Sequence, residues 1–182
     1  MVEKSKLHSA IRAGDLDGLG RVYSIAGELM MSPGEQTVAV QDGCDTHITG
    51  SWRSLFAKKI FSGTSGPPNG RLYTTSQRLV LIRDVDVWQE VKPLLTPLGL
   101  PAAAETEARL KQVKARGGRQ YCEISTTELT LDRTRVKHSM LILYLTGPGG
   151  QRFRVIVHTA EHRPDFYTQI ESRFKHGVET AT

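Results

Sequence analysis

The chain has 182 residues, 38% of them apolar and 24% charged, with a formal charge of +5. That balance excludes a disordered polymer and fits one ordinary domain with decorations. No apolar run approaches the ~20 residues a membrane-spanning helix needs, and Met1-Val-Glu-Lys-Ser-Lys-Leu7 lacks the apolar core of a secretion signal. A cytoplasmic protein is therefore expected. Cys44 and Cys122 carry no ligand spacing and read as two idle, buried thiols.

The charge is unevenly spread. Residues 1–45 hold four basic and seven acidic side chains, whereas residues 46–83 hold six basic ones and no acid. Such an acid-free stretch can project a positive face.

In chain order, residues 4–29 read as a helical hairpin, with Leu7, Ala10 and Ile11 on one face of the first helix. Gly14 stops that helix. Asp15 caps a second, with Leu16, Leu19, Val22, Tyr23 and Ala26 as its apolar stripe. Leu7-His-Ser-Ala-Ile-Arg-Ala-Gly-Asp-Leu16 resembles a single ankyrin-type unit, which cannot bury a core without copies of itself. The expected role of residues 1–31 is a helical hairpin packed on the main domain, residues 32–176.

Ser32-Pro33-Gly34 is a break, after which the texture turns β-like. Gln36–Val40 is expected as a first strand, Asp42-Gly43 as a turn and Ser51–Phe61 as a second strand. Residues 64–70 form a loop. Then comes Gly70-Arg-Leu-Tyr-Thr-Thr-Ser-Gln-Arg-Leu-Val-Leu-Ile82. Its β-branched and aromatic residues favour extended backbone, with a tight turn at Ser76-Gln77. The continuous apolar run 79–82 predicts burial on both faces.

This hairpin resembles the "G-x-L-Y-x-T-x-x-R-L-V" signature of GRAM and related pleckstrin-homology-like (PH-like) domains. The resemblance implies a mainly antiparallel α+β fold: a seven-stranded barrel or sandwich capped by a C-terminal helix. It also implies a binding module rather than a catalyst. Residues 84–119 would be a helical insertion, with Ala103–Arg116 as its stronger helix; Glu105 and Glu107 near the start and Lys111, Lys114 and Arg116 near the end complement the dipole.

Strands resume at Tyr121–Thr130, continuing through Asp132–Arg135 after a bend. Met140–Leu145 and Phe153–Val157 form a hairpin across Gly147-Pro-Gly-Gly150, with Phe153, Val155 and Val157 on one face. Phe166, Ile170 and Phe174, spaced i, i+4, i+8, make the buried stripe of a closing helix, and Pro164 fits its first turn. Residues 177–182 read as a tail. The resemblance covers residues 34–83 and 120–175.

Catalytic patterns are weak. His158-Thr-Ala-Glu-His162 spells the inverted zinc-protease motif, but it sits at a strand–helix junction with Pro164 close behind and no good third ligand downstream. The glycine-rich loop 63–70 lacks the Lys-Ser/Thr of a phosphate-binding loop. No cofactor or metal is expected.

Two basic clusters remain. Arg53, Lys58, Lys59, Arg71 and Arg78 surround the signature hairpin, interleaved with Trp52, Phe56 and Phe61. In PH-like lipid binders such residues meet anionic headgroups, so the resemblance implies a peripheral adaptor at an anionic membrane. Arg109, Lys111, Lys114, Arg116 and Arg119 form a second cluster suited to phosphate-bearing ligands. The alternative is a protein-interaction or homodimerisation module without lipid binding. Nucleic acid is the weakest partner, since the sequence has no stacking motif or recognition-helix pattern.

Overall fold

The computed structural model describes residues 10–14, 16–50, 59–61, 68–84, 108, 112, 115 and 118–177. Its strands, in chain order, are β1 (Ile11–Gly14), β2 (Thr37–Gly50), β3 (Lys59–Phe61), β4 (Gly70–Thr75), β5 (Arg78–Arg83), β6 (Gln120–Ser125), β7 (Thr130–Lys137), β8 (Met140–Thr146) and β9 (Arg152–Thr159). Helix α1 (Pro164–Glu171) and the two-residue β10 (Lys175–His176) follow. Among the described residues, seven strands of six residues or more, β2 and β4–β9, precede the C-terminal helix α1, the order implied by the resemblance.

The expected barrel is not closed. The strands form an open sheet in the order β1-β6-β5-β4-β2-β9-β8-β7-β10, with β3 branching from β2. Among the described strands all pairings are antiparallel except the short β10–β7 contact. β1 and β10 sit at the two ends, and no pairing joins them.

β2 links the two halves. Its first part pairs with β4 and its second with β9. The Asp42-Gly43 turn expected from sequence is instead a bulge inside this one long strand. The β2–β4 register shifts between Asp42 and Cys44, and Gly43 adopts φ 67° there. Two strands, one on each side, hold the chain extended past a dipeptide that would turn in isolation.

The signature hairpin forms as expected, with Leu72 opposite Leu81 and Tyr73 opposite Val80. Its apolar run is buried on both faces. Leu79 and Leu81 enter the main core with Leu143, Val155, Phe166 and Ile170. Val80 and Ile82 enter a second cluster with Tyr73, Tyr121, Val22 and Tyr23. Gly70 opens the hairpin because nothing larger fits. A Cβ there would lie 2.9 Å from the Cys44 carbonyl oxygen and 2.7 Å from Leu81 Cδ1. Gly70→Ala is expected to cost about 1–3 kcal/mol through overpacking, read as a lower urea midpoint at unchanged slope.

The second cluster explains the main correction. Residues 4–9 and Asp15 of the expected N-terminal helical hairpin lie outside the described residues, and its described part from Ile11 onward is a strand and a strap. Ile11-Arg-Ala-Gly14, read as part of an ankyrin-like unit, pairs with β6 as β1. Leu16–Gly18 is one 3-10 turn, and residues 19–30 run through turns with Gly20 and Gly27 at positive φ. Val22 and Tyr23 are buried against the outer face of β4–β6, with Leu19 and Leu29 packed beside them. Gly14, Gly18, Gly20 and Gly27 disfavour a helix, and the apolar residues gain more by covering the sheet. The Tyr23 hydroxyl donates to the Arg119 carbonyl (3.0 Å) and accepts from the Arg119 N–H (2.9 Å).

Helix α1 begins at Pro164 with Asp165 in its first turn, as its dipole favours. Phe166, Tyr167 and Ile170 are buried, and Phe174 is buried just beyond the helix end. The Tyr167 and Thr159 hydroxyls, 2.6 Å apart, tie α1 to the end of β9. Of the expected insertion helix, Ala108, Gln112 and Ala115 are described; all three are helical and exposed. Residues 85–107 of that expected insertion lie outside the described residues. Among the described residues no helix is long and apolar enough to cross a membrane.

Candidate functional site

The structure divides the first basic cluster. Arg78 is not a surface cation. Its side chain is 10% exposed and forms a fork on Glu35, with Nε donating to Oε1 and Nη2 to Oε2, both at 2.8 Å. Its Nη1 donates to Glu123 Oε1 (2.6 Å) and Nη2 also to the Met30 carbonyl (2.8 Å). The Thr75 hydroxyl and the Ser32 N–H complete the shell of Glu35. Burial alone would push the Glu35 carboxyl up, but the hydrogen bonds from Arg78, Ser32 and Thr75 outweigh it and leave it below its ordinary value. The arginine of the signature hairpin thus fastens the strap to β5 and β6, and it is unavailable to a headgroup.

Arg71 stays at the surface, where its Nε donates to Asp42 Oδ1 at 2.6 Å. Lys59 lies on β3; Arg53 and Lys58 fall outside the described residues, with Trp52 and Phe56. Arg83, also from the acid-free stretch, is buried. It donates to both oxygens of Asp45 and to Gln120 Oε1. In the second cluster Arg109, Lys111, Lys114 and Arg116 lie outside the described residues. Arg119 donates to the Ile25 carbonyl (3.0 Å) and approaches Asp84 at 3.5 Å.

The zinc-protease spelling comes apart in space. His158 lies on β9, edge-on to His47 at 5.1 Å, whereas His162 lies in the turn before α1 and donates from Nδ1 to the His138 carbonyl (2.7 Å). They share no helical face. Both cysteines are free and buried, and burial pushes each thiol up to about 12, so neither is a poised nucleophile.

A groove not anticipated from sequence lies between the first half of β2 and the start of α1. β4 pairs with Thr37–Gln41 on one side, but pairing with β9 on the other begins only at Cys44. Between this half-strand and α1 lies a cleft of about 360 Å³, lined by Ala39, Val40 and Gln41 on one side and by residues 162–166 and Gln169 on the other. Val40 is 47% exposed and Val38 40%. A bare half-strand with β-branched side chains beside an open cleft is a template for another extended chain. The strand at Gln36–Val40 was expected from sequence; where its pairing with β9 begins was not.

No family model and no curated protein matches this sequence. Among solved structures it is similar to the Vps36 N-terminal PH domain, with a TM-score of 0.45 and 14% identity over 83% of this chain and 87% of that one.

Proposed function

We propose that this chain is a non-enzymatic binding module that takes an extended segment of a partner protein into the groove between β2 and α1. The observation that carries it is the half-strand Thr37–Gln41, which among the described residues pairs on one side only and borders the cleft. Strand addition would give affinity through main-chain hydrogen bonds, and Val38 and Val40 would select alternate apolar side chains. The binding-module reading that the Gly70–Ile82 hairpin implies agrees with this.

The anionic-headgroup site on Arg53, Lys58, Lys59, Arg71 and Arg78 is the weaker reading. It loses Arg78 to the interior, and Asp42 neutralises Arg71.

The test is a displayed library of extended peptides selected on the whole chain, with affinities measured by fluorescence anisotropy. Enriched peptides should be rich in β-branched residues. Val40→Asp should weaken them at least about tenfold, the loss expected of a central contact. Failure to enrich, or equal binding by the variant, would remove this reading. A concentration-dependent dimer mass in light scattering, abolished by Val40→Asp, would assign the groove to a second copy instead.

A further inference from the structure

Strands β7, β8 and β9 carry five cations, Arg133, Arg135, Lys137, Arg152 and Arg154, and one carboxylate, Asp132. The register places them on one side of the sheet. Arg133 lies opposite Tyr144, which lies opposite Arg154; Arg135 lies opposite Ile142, and Lys137 opposite Met140. The alternate residues of β8 and β9, Leu141 to Leu145 and Phe153 to Val157, are buried in the core. The cations therefore face away from it. They stand in two rows on β7 and β9, about 10 Å apart across β8 and stepping about 6.7 Å along each strand. β8 between them has no charge and offers Met140, Ile142 and Tyr144, each half-buried. Asp132 sits at the bulge at one end and accepts from the Thr146 hydroxyl at 2.7 Å.

We propose that this outer face is a docking surface for an anionic lipid bilayer. Charge complementarity sets the sign of the partner, and the layout sets its form. A single phosphate would need guanidinium groups converging on one point, whereas these rows run side by side. An uncharged, partly apolar strip with a tyrosine between two cationic rows suits the headgroup boundary, where aromatic rings settle. A nucleic-acid strand would call for bare aromatic platforms, but the Arg133 guanidinium already lies 4.2 Å from the centre of the Tyr144 ring. None of these residues lines the β2–α1 groove, so this surface stands or falls independently of the peptide site. Arg133, Arg135 and Lys137 form one face with Arg152 and Arg154 only once β8 pairs with both β7 and β9.

The test is cosedimentation of the full chain with phosphatidylcholine vesicles, with and without phosphatidylserine. Binding should require phosphatidylserine and fall with added salt. Arg135→Gln with Lys137→Gln should weaken it by about 25-fold, roughly fivefold per charge. Arg12→Gln with Arg173→Gln removes the same charge elsewhere and should change it by no more than about twofold. Equal binding to neutral vesicles, binding to neither, or equal loss in the two double variants would overturn the proposal. So would competition by free glycerophosphoserine, which would mean a single-headgroup pocket, or tighter binding of single-stranded RNA lost in Arg135→Gln/Lys137→Gln. Melting curves of both double variants should match the parent, since Arg12, Arg135 and Lys137 are exposed and Arg173 is partly so.

Discussion

Arg78→Met is expected to destabilise the fold by about 3–5 kcal/mol, measured by urea unfolding, because it strands two carboxylates beside the core. Glu35 would lose its bidentate partner and Glu123 its 2.6 Å donor. Adding Glu35→Gln should return part of that loss, so the double variant costs less than the sum of the single ones. The same site predicts an acid response. The folded Glu35 carboxyl is depressed below its ordinary value of 4.5. Its stabilising contribution is then complete above that value and disappears as the pH falls through the folded one. In Arg78→Met burial is left with less opposition and the Glu35 value rises, so less of this acid-sensitive contribution remains. Urea midpoints followed from about pH 7 to pH 3 should therefore fall less steeply on acidification in the variant than in the parent. Parallel curves would remove Glu35 from this role.

Tyr23→Ala is expected to cost about 3–5 kcal/mol, in the range of large aromatic deletions. Tyr23 is fully buried against Tyr121 and the β4–β6 face, and its hydroxyl bridges the Arg119 N–H and carbonyl. Tyr23→Phe keeps the packing and should cost only about 1–2 kcal/mol for the unmade hydrogen bonds. The loss should be local before it is global. In Tyr23→Ala the amide of Met30, which donates to the Val22 carbonyl, should exchange hydrogen far faster than amides of β8, whereas Tyr23→Phe should leave it protected. Uniform loss of protection across the sheet would show that the strap is no separate unit.

What could be read from sequence was what neighbours along the chain decide. The Gly70–Ile82 hairpin, the alternation of Phe153, Val155 and Val157, and the stripe Phe166–Ile170 each announce themselves within a dozen residues. Their faces in the structure are the expected ones. What escaped depends on distant partners. The spacing of Leu19, Val22 and Tyr23 suits a helix, but the outer face of β4–β6 offered the same side chains a better burial. Gly43 follows an aspartate as in a turn, yet β4 and β9 hold it in a bulge. Counting charge along the chain makes Arg78 a surface cation and leaves Arg83 in an acid-free stretch because their carboxylates, Glu35 and Asp45, lie about forty positions earlier in the chain. The candidate groove depends on where β9 stops pairing with β2, and no local pattern encodes that.

Arg83, the last residue of β5, stands directly opposite Gln120, the first of β6, and its guanidinium grips the Gln120 amide oxygen. Whatever sequence runs from one to the other leaves and re-enters the scaffold at a single stapled junction. Because closing a loop costs entropy only as the logarithm of its length, closure at this junction sets little limit on how long that connection is. The junction works as a socket.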